Sequence, residues 1–301
     1  SIINYRRSIK RRNFSKYTIR NYMSTLKQFV IWLDVPIDKV THQKLVGFID
    51  DLLAKRLKPK TINCYLDSIR GFYDYLICEE QLKMQNPVKL GDTLRMSKPL
   101  PRFLRDEQVR ALFAQIDDPR DLAIFKLMLR CGLRVQEVAK LTLASVDFKR
   151  AQVFVYHGKG AKQRVVYLSK DAYQALLVYL KVRPFSRAKR LFLVNKGRFR
   201  GQPLNVRGIQ HRMKYYSKKA GFKVTCHQLR HTMDTQMLNA DADLVTIQDL
   251  LGHNYIRTTE RYCRVSNQKV RRDYYHAMDK VIERHRPACE KRLDNEVILI
   301  N

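Results

Sequence analysis

Residues 227–262 read HQLRHTMDTQMLNADADLVTIQDLLGHNYIRTTERY, and this stretch decides how the rest of the chain is understood. His227 and Arg230 stand at i and i+3, a spacing that puts both on one face of a helix. Leu250 and Leu251 close an apolar helical run at Gly252, a residue type that ends helices, and His253 follows at once. The segment Thr258 to Arg261 then leads into Tyr262. Singly these signals are weak. A His-x-x-Arg pair is common on helices, and one tyrosine among 16 is ordinarily a packing residue.

Two segments upstream change the weighing. In Gly132-Leu133-Arg134-Val135-Gln136-Glu137 an apolar helix from about Asp121 to Arg130 stops at glycine, and Arg134 comes directly after the stop. Taken by itself, Arg134 reads equally as a charge at a helix end. Farther along, Gln152 to Tyr156 and Gln163 to Leu168 alternate in polarity around His157-Gly158-Lys159-Gly160-Ala161-Lys162. That pattern predicts a β-hairpin, with Lys159 on an exposed, glycine-flanked tip. A solvated turn lysine is its plain alternative. The order of all five segments, rather than any one of them, makes the signal strong.

The first ~90 residues have helical periodicity. Ile19, Tyr22, Leu26, Phe29, Val30 and Leu33 form one stripe, stopped by Pro36. Thr41 is placed to cap a second helix with Leu45, Phe48, Ile49, Leu52 and Leu53. A third helix after Pro59 carries Ile62, Leu66, Ile69, Phe72, Tyr73, Leu76 and Ile77. Lys55, Arg56, Lys58 and Lys60 between them read either as phosphate contacts or as a solvated face. Asn86-Pro87 ends this block, and Gly91 to Pro101 reads as a linker. A capped helix near Asp106, with Val109, Leu112, Phe113 and Ile116, opens a second domain, and the chain is expected to return to helices after the hairpin. The fold class expected is therefore mostly α with a small antiparallel β-sheet, in two domains. Their bounds are 1–90 and 102–285, joined by a linker at 91–101 and followed by a tail at 286–301.

Composition narrows the partner. Lys plus Arg is 59 against 28 for Asp plus Glu, a net charge of +31 over 301 residues, with a pI near 10.1. Such an excess repels itself unless a polyanion is present, and phosphate neutralisation with counterion release is its obvious use. Charge alone leaves RNA-binding, ribosome-associated and membrane-surface proteins open. A hydrophobic content of 45% argues against disorder. No apolar run approaches the ~20 residues that span a bilayer, and Ser1 to Arg12 lacks the apolar core of a signal peptide. Six cysteines without Cys-x-x-Cys spacing read as reduced thiols and argue against a zinc site.

The ordered set resembles the tyrosine recombinase family, which includes the Xer recombinases, lambda integrase and Cre. "LRCGLRVQEVAKLTLASVD" is similar to its first arginine box, "HGKGAKQRVVYLS" to its lysine hairpin, and "HQLRHTMDT" with "IQDLLGHNYIRTTERYCRV" to its two C-terminal boxes. "NPVKL" and "KPLPRFL" resemble the interdomain junction of the Xer-like branch. The resemblance implies an N-terminal SAM-like core-binding domain and a C-terminal catalytic domain, clamped in a C shape around DNA. It implies cleavage and rejoining without metal or cofactor, through a 3′-phosphotyrosine and a Holliday junction. The catalytic roles fall on six residues. Arg134 and Arg230 would clamp the scissile phosphate, Tyr262 would attack phosphorus, and Lys159 would protonate the leaving 5′-oxygen. His227 would accept the tyrosine proton, and His253 would hydrogen-bond the phosphate. Glu137 would support the cations, a surface helix carboxylate being the alternative, and Lys162 would touch backbone phosphate. Tyr255, Tyr274 and Tyr275 are set aside as nucleophiles by their positions around the last box.

Three positions depart from the pattern. Cys226 replaces a frequent proline and would put a thiol beside the site, Asp241 replaces a frequent glycine, and Asp234 replaces a small residue without an evident reason. A helix is expected over 265–285, and the apolar end Val297 to Ile300 reads as packing on its own domain or docking into a neighbouring protomer. The partners implied are double-stranded DNA with paired recombination sites and accessory proteins. The protein would be a monomer in solution and a homo-tetramer on DNA. Its place would be the bacterial cytoplasm, at the nucleoid, in a chain of bacterial, phage or mobile-element origin. Competing readings are a type IB topoisomerase-like monomer, a regulator that has lost catalysis, and an RNA-binding protein. All six expected catalytic positions are filled, which tells against the last two.

Overall fold

The computed structural model describes residues 1–96, 102–156, 163–240 and 242–251, which fall into two compact units, Ser1–Lys98 and Pro99–Asn301.

The first unit is built from α1 (Ile2–Arg11), α2 (Lys16–Trp32), α3 (His42–Ala54) and α4 (Pro59–Cys78). Local chemistry sets the starts. Ser15 accepts the Thr18 N–H at 3.1 Å and Thr41 the Lys44 N–H at 3.3 Å, each supplying an acceptor to a donor the helix leaves unpaired. Pro59 sits at the first turn of α4, where its missing N–H costs nothing. The expected stripes meet in one core around Leu26, Phe29, Leu45, Phe48, Ile62, Leu66 and Phe72.

Helix α1 lies within the first ~90 residues expected to be helical, though no apolar stripe was named for it. It buries only Tyr5, Ser8 and Ile9, in a strongly basic background. Tertiary packing sustains it: the Tyr5 ring lies 5.4 Å from Phe72 and 5.3 Å from Tyr75, and Ser8 donates to Glu79 at 2.8 Å. Lys55, Arg56, Lys58 and Lys60 are exposed, and Lys55 pairs with Asp51 at 2.6 Å. Leu94, read as linker, is held on this unit. Its N–H and C=O both bond the Asn63 side chain, at 2.9 and 3.0 Å.

In the second unit α5 (Asp106–Ala114) leads to α6 (Pro119–Arg130), α7 (Val135–Lys140) and strands β1 (Val146–Asp147), β2 (Gln152–Val155) and β3 (Arg164–Tyr167). Then come α8 (Lys170–Val182), α9 (Val206–Lys219), α10 (Cys226–Asn239) and α11 (Leu244–Leu251). Helix α6 is the centre. Ala123, Ile124, Phe125, Leu127, Met128 and Leu129 are all buried, so it is covered nearly all round, chiefly by α8 and α10. It begins earlier than the apolar pattern suggests, because Asp118 caps it by accepting the Arg120 N–H at 2.9 Å. Asp121, expected near its start, is buried and bonds Arg120 at 2.7 Å and Arg212 of α9.

The sheet is antiparallel in the order β1-β2-β3, with Val153 opposite Val166 and Val155 opposite Arg164. The hairpin expected from alternation is present, and β1 adds a strand too short to show a period. The expectation of helices directly onward needs correction. Between α8 and α9 the chain runs irregularly, through bridges Thr142↔Arg190 and Leu193↔Pro203. Pro184, Pro203 and glycines at positive φ, Gly197 and Gly201, prevent a helix there. The Arg183 guanidinium satisfies the carbonyls of Ala188, Arg190 and Leu191 in compensation.

Candidate active site

Helix α6 ends at Arg130, and Gly132 turns the chain with φ +62°. A Cβ there would stand 2.5 Å from Leu251 Cδ2 and 2.7 Å from Met233 Sδ, so both the dihedral and the space call for glycine. The turn delivers Arg134 to the N-cap of α7. Glu137, three residues on, folds back over it. Its Oε2 accepts the Arg134 backbone N–H at 2.8 Å and its Oε1 accepts Arg134 Nη1 at 2.9 Å. One carboxylate thus fixes both the helix start and the guanidinium.

The same carboxylate is held from the other side. Arg164, the first residue of β3, donates Nη1 and Nη2 to Oε1 and Oε2 of Glu137 at 2.9 and 2.8 Å. Its Nε donates to the Leu250 carbonyl at 2.8 Å. Arg230 comes from α10, whose first turn is closed by Thr225 and Gln228 capping each other's backbone N–H. It is only 2% exposed and donates Nη1 to the Gly132 carbonyl and Nη2 to the Leu251 carbonyl at 2.6 Å. Leu250 and Leu251 end α11, where carbonyls lack helical partners and cations are favoured.

The electrostatics follow from this packing. Burial by itself would raise the Glu137 carboxyl. The forked bond and charge of Arg164, with help from Arg134, outweigh it and hold the group at about 2. Burial and the repulsion of Arg134 lower Arg230 to about 10, against the support of Asp234 and Glu137, so it stays charged at neutral pH. Asp234 thereby gains a physical account. It is buried one turn beyond Arg230, lies 4.0 Å from His231 Nδ1, and its charge steadies that arginine.

His227 is exposed at the surface, and its ring packs edge-on against His231 at 4.2 Å. Its partial burial, with the charges of Arg230 and Arg134, lowers its pKa below 6.5. The result is a neutral imidazole beside fixed cations, able to accept a proton next to a bound anion. His227 also rims a cleft of about 770 Å³ that Val135, Met213, Phe222 and Cys226 help to line. The Cys226 thiol is buried and pushed up to about 12, so it stays protonated.

Arg134, His227 and Arg230 are therefore brought together, and Glu137, bonded to Arg134, is buried rather than on a surface. Lys159, Lys162, Asp241, His253, Tyr255, Tyr262, the 265–285 helix and the tail lie outside the described residues. Sequence reasoning missed Arg164. Its signal was available: Arg164 and Val166 share the inward face of β3, and a charge on a buried face requires a partner.

Comparison with known proteins identifies the family. Residues 102–269 match the phage integrase family, and residues 2–80 match the phage integrase N-terminal SAM-like domain. A relative named tyrosine recombinase XerC, from Bacillus subtilis strain 168, is 34% identical over 280 residues, covering 87% of this chain and 90% of that protein. The crystal structure of XerA recombinase is 26% identical with a TM-score of 0.53, covering 95% of this chain and 98% of the other. A lambda integrase dimer bound to a COC′ core site is 16% identical with a TM-score of 0.72, covering 86% and 92%, and shows likeness of fold. With two domain matches in the same order, and an identity of this size over most of its length, the chain belongs to the phage integrase family and is a site-specific DNA recombinase of the tyrosine type.

Proposed function

We propose that this recombinase cleaves and rejoins duplex DNA by transesterification through Tyr262. The Tyr262 oxygen attacks phosphorus and the P–O5′ bond breaks, leaving a 3′-phosphotyrosine and a free 5′-hydroxyl. His227 takes the tyrosine proton and Lys159 gives one to the departing oxygen. A phenol with a pKa of about 10 needs such a base, or a strongly cationic site, to attack near neutral pH. Arg134 and Arg230 hold the non-bridging oxygens, and His253 donates to the same phosphate. Because the ester conserves the bond, a second 5′-hydroxyl can reverse the step on a partner strand without ATP. Exchange then passes through a Holliday junction.

The observation that carries this reading is the grouping of Arg134, bonded to the buried Glu137, with Arg230 and His227 near enough to feel its charge. Two guanidiniums whose geometry is set before substrate arrives can stabilise a pentacovalent phosphorus without reorganising. In this reading residues 1–90 are the core-binding domain and residues 91–101 the linker. Residues 102–285 are the catalytic domain, and residues 286–301 are its tail. The working assembly is four copies on two paired sites, with accessory proteins, acting on DNA in the bacterial cytoplasm.

The test is covalent capture. The protein is incubated with sheared genomic DNA, quenched in detergent, digested with nuclease and searched for nucleotide-modified peptides, beside Tyr262→Phe. An adduct on Tyr262 that the variant lacks is expected, and the captured DNA identifies the target. An adduct on another tyrosine would refute the assignment of the nucleophile.

A further inference from the structure

We infer that Arg164 is a positioning residue for leaving-group protonation, tying the base of the Lys159 hairpin to the carboxylate that orients Arg134. The inference rests on the proposed role of the lysine hairpin as the source of the acid. Val155↔Arg164 is the last paired position of β2 and β3 before the turn. The Arg164 side chain is therefore the anchor nearest the turn on its returning strand. That anchor is 9% exposed, and its forked bond to Glu137 fixes rotation as well as distance. Its third donor, Nε, reaches Leu250 O at the end of α11, two residues before Gly252. One side chain thus joins the strand after Lys159, the carboxylate behind Arg134 and the helix that leads toward His253. Lysine at 164 keeps a charge but cannot make the fork and the Leu250 bond together.

In the sequence Lys159 stands between Gly158 and Gly160, five residues before Arg164. An acid displaced by about 1 Å loses on the order of 100-fold in rate. Pinning the strand at Arg164 limits such a displacement without Arg164 touching DNA.

The test compares single-turnover cleavage of two nicked substrates by full-length protein. One carries the ordinary phosphodiester. The other carries sulfur in place of the bridging 5′-oxygen. The P–S bond breaks to give a 5′-thiolate, and because thiols ionise near pH ~8.5 it departs without an acid. Arg164→Gln is expected to slow the oxygen substrate roughly 100-fold and to cleave the sulfur substrate close to the unaltered rate, with Arg164→Lys between. The oxygen-to-sulfur rate ratio is taken on one preparation, so a reduced folded fraction cancels. Equal loss on both substrates, or no loss on either, would overturn the inference. Lys159→Ala runs in parallel. If sulfur rescues Arg164→Gln but not Lys159→Ala, the acid is another hairpin group and the Arg164 inference stands. If it rescues Lys159→Ala alone, the inference fails while the role of Lys159 survives.

Discussion

Replacing Glu137 by glutamine removes the one negative charge that holds Arg134 and Arg164 together. The carboxylate is held near 2 against an ordinary 4.5, a difference that contributes roughly 3 kcal/mol to folding at neutral pH. That agrees with the ~3–5 kcal/mol typical of breaking a buried ion pair from one side. In a unit of roughly 200 residues each kcal/mol moves the melting midpoint about 2–4 °C, so Glu137→Gln should melt roughly 6–12 °C lower. The sign of the pH dependence is set by the lowered value. The contribution is complete above pH 4.5 and is lost as pH falls toward about 2, so the two proteins should converge in acid. Thermal unfolding by circular dichroism at neutral pH and through that acid window measures both. A fall of less than about 2 °C at neutral pH, or a gap that acid does not shrink, would refute the reasoning.

Three further outcomes follow from the same region. Gly132→Ala should cost roughly 2–4 kcal/mol, because a left-handed dihedral and a clash with Leu251 and Met233 act together; denaturant unfolding with a loss under ~1 kcal/mol would contradict this. Cleavage should rise with pH along a limb whose midpoint lies below 6.5, the direction in which His227 is shifted. His227→Gln should abolish that limb, and a midpoint above 7 in the unaltered protein would count against His227 as the base. Folding should also weaken as pH drops below 6.5, since the unfolded chain takes up that proton more readily. Cys226, buried and with its thiol raised to about 12, should resist alkylation in the native protein while exposed Cys64 and Cys78 react; mass spectrometry of the modified protein checks this.

Much of the architecture was legible because it rests on periodic burial. The stripes of α2, α3 and α4 repeat at helical spacing over several turns, and Thr41 marks a start by the chemistry of its own hydroxyl. For α1 the helical reading of the first ~90 residues named no stripe, and its buried apolar side chains are Tyr5 and Ile9. The same logic failed between α8 and α9, where carbonyls are satisfied by Arg183 across the loop rather than by any repeating pattern. Glu137 was readable as a charged neighbour of Arg134, but support for the cations and a surface helix carboxylate were left as alternatives. Its burial depends on Arg164, distant in the chain and brought close only by the hairpin.

By itself the sequence determined the helical character, the polyanion partner and the order of the candidate site residues, because each depends on local spacing or summed charge. The tertiary structure decided which cations share a counterion. It buried Arg230 on the carbonyls of Gly132 and Leu251, gave Asp234 a task beside it, and made Arg164 a partner of Arg134. These contacts join residues far apart in the chain, and their strength comes from exclusion of water, which no linear pattern records.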